Sequence, residues 1–164
     1  MTALMEWLRS TPVAALMLDY RWSWPIAESL HFIGLTLMAG AVGTFDLRLL
    51  GLGRGIAPVT LHRLLGWGIA GFAICAVTGL MFISGTPDQY FYNRAFYFKS
   101  ACLLLLGINA TAFYVSGYGI ARTLGPQDSA PARLRIMAML SLILLAGVML
   151  GGRMLTFFRP AAVY

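Results

Sequence analysis

His31 and His62 are the only imidazoles in this 164-residue chain, and both lie in or beside long apolar runs. Ionisable side chains inside such runs are expensive in lipid and mark functional sites. His31 stands in "SLHFIGLTLMAGAVGTFDLRLLG", with Glu28 one turn or less before it. Lys99 follows the start of another run, in "YNRAFYFKS", and Arg153 lies near the end of the last, in "GGR". Antiparallel spans bring these groups to one level. A neutral imidazole can ligate haem iron, and neighbouring cations can bind the propionates. The same groups can hydrogen-bond a quinone carbonyl and pass protons to it. The expected site therefore has His31 as ligand of haem iron, with Lys99 and Arg153 as its cations. Leu35, Met38, Val42, Phe45 and Leu49 share the helical face of His31. That face, with the flexible Met38, suits a macrocycle or a quinone. An ordinary packed core has the same pattern, and either cation alone could snorkel to the headgroups.

Depth separates the two histidines. His31 lies roughly 9 Å into its span, while His62 opens the next span from the opposite end, some 20 Å or more away. One haem or one metal ion cannot take both. Beside His62 the sequence gathers Asp46, Arg48 and Arg63. Asp46 and one of these arginines are expected to form a structural ion pair closing that end, with His62 capping or hydrogen-bonding nearby. Cys75 and Cys102 fall inside apolar runs and make neither a metal spacing nor a disulfide framework. Metal transport would need histidine or carboxylate pairs at helical spacing, which the sequence lacks.

The elements that position these groups follow from composition. Hydrophobic residues make up 59% of the chain and charged residues only 11%, against about 25% charged in a soluble domain. The apolar residues form four runs, at about 25–50, 58–84, 95–117 and 134–158, each long enough to span as a helix. The expected fold is all-α, an integral membrane four-helix up-and-down bundle with an N-terminal interfacial helix, in one domain over 1–164. Segment 1–24 lies in the interface: Ser10 or Thr11 caps a short helix at Pro12, and Tyr20, Trp22, Trp24 and Pro25 make an aromatic belt. "MTALMEWLRS" carries Glu6 and lacks the basic start and apolar core of a cleavable signal peptide. "GTPDQYFYNRAFYFK" is aromatic enough for an ordered lid at headgroup level, though simple anchoring is the expected role of most of its rings.

The net charge of +6 comes from basic residues flanking apolar runs, as anchors do, and not from a face for nucleic acid. Arg48, Arg54, Arg63, Arg122, Arg133 and Arg135 lie around the first and third connections; Arg9, Arg21, Arg94 and Arg159 lie on the other side. This weak bias puts both termini on the outer side of a bacterial inner membrane. The expected partners are the lipid bilayer and either a second copy or a membrane complex. Gly147 and Gly151 form a GxxxG match which, with Gly66, Gly68, Gly71 and Gly79, permits close helix packing. Asn109 and Ser141 are expected to supply interhelical hydrogen bonds worth about 0.6 kcal/mol each.

The pieces "WPIAESLHFIGL", "FDLRLLG", "GFAICAVTGLMFIS", "YNRAFYFKS", "GIN" and "GGR" resemble a widespread group of bacterial four-helix membrane proteins without known activity. The order of His31, a glycine-rich span ending in "TGLMF" and Lys99 is also distantly similar to HemJ-type protoporphyrinogen oxidases and CopD-like membrane domains. That resemblance implies His31 as haem ligand and Lys99 as second ligand or catalytic partner. Three functions are therefore expected as rivals. The first is a haem b protein in electron transfer, with quinone as a possible cofactor. The second is a cofactor-free anchor or accessory subunit. The third is a HemJ-like porphyrinogen oxidase.

Overall fold

The computed structural model describes residues 2–158. Arg159, counted above among the flanking charges, lies outside them. The described chain is helical: α1 (Thr2–Arg9), α2 (Pro12–Asp19), α3 (Ser23–Leu50), α4 (Pro58–His62), α5 (Leu65–Gly85), α6 (Pro87–Phe91), α7 (Arg94–Ser116), α8 (Tyr118–Ala121) and α9 (Ala132–Met154). Four stretches are long and apolar enough to cross a membrane: Ser23–Leu50, Pro58–Gly85, Arg94–Ser116 and Ala132–Met154. They fall within a few residues of the four expected runs. The second is two helices, α4 and α5, separated by a turn at Arg63 and Leu64.

α3 is continuous over 28 residues, about 42 Å long, and it is the central element. It packs on α5 along one side and on α9 along another, and α9 in turn carries α7. α5 and α7 leave a cleft between them.

Two small-residue seams set these distances. On α3 and α5 the seam is Gly34, Ala41, Gly68 and Gly71. A Cβ at Gly34 would stand 2.7 Å from the Gly71 carbonyl oxygen, and one at Gly71 would stand 2.8 Å from the Met38 nitrogen. The two backbones therefore touch. On α7 and α9 the GxxxG pair is used within the chain: a Cβ at Gly147 would lie 2.8 Å from Cys102 Sγ, and one at Gly151 would lie 3.0 Å from Lys99 Cβ.

Caps fix the ends. Gly51 takes φ +105° after α3, and its N–H reaches the Arg48 carbonyl, the left-handed stop that glycine makes without strain. Asn93, 1% exposed, accepts from Ala95 N at the start of α7 and donates to the Leu155 carbonyl at 2.9 Å. It thereby ties the first turn of α7 to the end of α9.

Thr11 caps α2 through Ala14 N, as its sequence position suggests. The preceding residues form a helix of their own, α1, which the sequence reading did not separate. α1 and α2 rest on the end of α5: Met17 is buried against Gly85, and Arg9 pairs with Asp88 of α6.

Gly71→Ala forces a Cβ into the α3 backbone. We expect it to lower the thermal midpoint in detergent, at an overpacking cost of about 1–3 kcal/mol. Gly40→Ala, where the new Cβ meets nothing within 4 Å, is the control and leaves the midpoint unchanged or higher.

Candidate functional site

The α3/α5 seam holds His31. Its Nδ1 lies 2.7 Å from Thr78 Oγ1. The Thr78 hydroxyl, buried at 2% exposure, also lies 2.7 Å from the Ile74 carbonyl and 3.3 Å from that of Cys75. When its single proton goes to the Ile74 carbonyl, Thr78 accepts from His31, so that Nδ1 carries the ring proton and Nε2 keeps its lone pair. The Cys75 thiol donates to the His31 backbone carbonyl at 3.4 Å. The imidazole also leans on Phe82, with ring centroids 5.5 Å apart, and Phe82 stacks on Trp24 at 5.5 Å and 15°. Three successive levels of α5, at Cys75, Thr78 and Phe82, thus fix His31 in position and tilt.

Lys99 reaches the same region from α7. Its Cβ packs at Gly151, its ammonium nitrogen passes beside Gly152, and it lies within electrostatic range of His31 and Cys75. The side chain is half-buried and makes no hydrogen bond or ion pair with another described residue. The absence of side chains at Gly151 and Gly152 lets a long cation run along α9.

Two other expected members of this group make other contacts. Arg153 is exposed, with its guanidinium 5.7 Å from the Phe157 ring centroid. It stands in the last turn of α9, where a cation is favourable at the helix end without any ligand. Met38, two turns below His31, is buried among Cys102, Leu106, Leu144, Leu145 and Val148. It fills the middle of the bundle and does not flank the imidazole.

The opposite end differs from expectation in its chemistry. Among the described residues the single ion pair is Arg9–Asp88, so Asp46 pairs with neither Arg48 nor Arg63. Residues two apart on a helix face different ways. Arg48, 1% exposed, turns to the connections: Nε donates to the Ile56 carbonyl at 2.7 Å, and Nη2 to those of Pro126 at 2.8 Å, Gly125 at 3.2 Å and Asp128 at 3.3 Å. Gly55 N donates to the same Pro126 carbonyl. One guanidinium clamps both connections, and Arg63 is exposed.

Asp46 instead turns to α9, beside the Ser141 hydroxyl. At 6% exposure, it leaves Oδ2 without a hydrogen-bond partner. His62 is enclosed by Phe45, Tyr114 and Tyr118, the last at 4.6 Å between ring centroids, and its buried Nε2 is likewise unpartnered. An aromatic cage takes the place of the expected hydrogen-bonded cap. Phe45 is 14 residues along α3 from His31, about 21 Å, so the histidines are far apart.

Thr78 and Phe82 were not singled out from sequence. Their spacing of four on α5 was visible, but the register of α5 against α3 was not. No three His, Cys, Asp or Glu side chains converge among the described residues. Comparison of the chain with family models, curated proteins and solved structures returns no match.

Arg48→Met removes the clamp and leaves carbonyls of two connections unpaired. A loss of about 2 kcal/mol or more is expected, together with proteolytic nicking between Leu52 and Ile56. Arg48→Lys does not restore stability, because a single ammonium lacks the planar fork.

Proposed function

We propose that this chain is a small multi-pass protein of a bacterial inner membrane, with both termini outside, that holds haem b through His31 and serves electron transfer. The observation that carries the reading is the Nδ1–Thr78 hydrogen bond. Metal-ligating histidines commonly donate their other ring N–H in this way, which fixes the tautomer and makes the ligating nitrogen more basic. Lys99, a cation without an acceptor among the described residues, would bind a propionate or serve as second ligand. The donor set fits the group: one oriented neutral imidazole, one free cation and an aromatic ring at Phe82. Bound haem supplies a reversible one-electron couple. The chain's own contribution is to present Nε2, to balance negative charge with Lys99, and to surround both with apolar helices. The order of His31 and Lys99 along the chain, which resembles HemJ-type and CopD-like proteins, is in keeping with this reading.

The visible absorbance of protein purified from haem-replete cells tests it. A Soret band is expected, abolished in His31→Ala and retained in His62→Ala. Thr78→Val keeps the imidazole but removes its acceptor, so haem affinity falls about 10–100-fold. A colourless wild-type protein that also fails to take up added haem would overturn the reading in favour of a cofactor-free subunit.

A further inference from the structure

The cleft between α5 and α7 leads into a cavity of about 280 Å³ at the Asp46 end of the bundle. Its wall is apolar and aromatic, with Phe45, Phe72 and Phe113, and it is interrupted by Asp46, Asn109 and Ser141. On the membrane-facing side it is bordered by Phe72 and Gly107, both exposed.

Two polar atoms at this cavity are acceptors that the protein leaves unused. Asp46 Oδ2 is buried with no partner. A carboxyl group taken out of water and left half-satisfied is costly, and no ion pair offsets it among the described residues. Asn109 spends its Nδ2 on the Met137 carbonyl, at 3.0 Å, which leaves Oδ1 as an acceptor. Asn109 binds at Met137 and Asp46 sits at Ser141. These two α9 residues are four apart, about 6 Å along the helix. The wall of the cavity thus carries two residues with spare acceptor capacity about one helical turn apart, beside aromatic rings, with a side opening to lipid. A ligand that answers this has an aromatic ring, two hydroxyl donors and a lipophilic tail.

We propose that this cavity binds the ring of a membrane hydroquinone, with Asp46 accepting from one hydroxyl and Asn109 from the other. The tail leaves through the α5/α7 cleft. The proposal does not rest on the haem reading, because the cavity lies at the opposite end of α3 from His31.

The probe is a decyl-substituted 1,4-hydroquinone, titrated into the full-length protein in nanodiscs, with empty nanodiscs subtracted. The hydroquinone should bind at least tenfold more tightly than its dimethyl ether, which has the same ring but no donors. Asp46→Leu should weaken binding at least tenfold. Gly107→Leu, at a position where a new Cβ meets nothing within 4 Å, should block the opening and weaken binding without disturbing helix packing. His31→Ala should leave binding unchanged, and Asp46→Leu should leave any Soret band unchanged. No saturable binding, equal binding of the dimethyl ether, or wild-type affinity in both Asp46→Leu and Gly107→Leu would overturn the proposal.

Discussion

The backbone contact of α3 with α5 at Gly34 and Gly71 is the constraint on which the rest depends. In lipid no hydrophobic driving force pulls helices together, so close packing and interhelical hydrogen bonds must do it. Removing both side chains lets the helices approach until carbonyl oxygens face Cα atoms. At that distance, one turn along α3 from Gly34 and two along α5 from Gly71, Thr78 Oγ1 lies 2.7 Å from His31 Nδ1. A wider seam would leave the imidazole without its acceptor and free to adopt either tautomer. The orientation of His31 is thus a consequence of two missing side chains.

The two ends of the bundle use polarity differently. At the His31 end the imidazole is placed by its α5 neighbours, yet among the described residues His31 Nε2 and the Lys99 ammonium have no hydrogen-bond or ion-pair partner. At the other end Arg48 spends Nε and Nη2 on carbonyls of two connections. This removes it from Asp46 and leaves that carboxyl group beside a cavity. A guanidinium spreads its donors over a plane and can hold several carbonyls at once, so it serves as a clamp where an ion pair was the simpler expectation. Because Arg48 stands in the last turn of α3, its charge also opposes the negative end of that helix.

Much of the architecture was legible in the sequence. Long apolar runs can only be helices in lipid, and the spans Ser23–Leu50, Pro58–Gly85, Arg94–Ser116 and Ala132–Met154 begin and end within a few residues of those runs. The separation of His31 from His62 followed from helical rise alone. The lateral facts did not. Periodicity shows which residues share a face, but not which neighbour that face meets. Met38 shares a face with His31 yet belongs to the α7/α9 core. Arg153 lies near the expected level, but its azimuth sends it to Phe157. Lys99 joins His31 because Gly151 and Gly152 make room for it, a pairing that depends on helix register. The Asp46–Arg48 pairing failed for the same reason: proximity in sequence gives no direction.

The central claim is that His31 is held with Nδ1 protonated and Nε2 free to bind. Nitrogen-15 NMR of the imidazole, with histidine labelled in full-length protein in nanodiscs at pH 7, reads this directly. The account predicts a protonated Nδ1 and an unprotonated Nε2 for His31, converting to an unlabile, metal-shifted Nε2 on loading with haem. A His31 found protonated at Nε2, exchanging between tautomers, or unaltered by haem would contradict it.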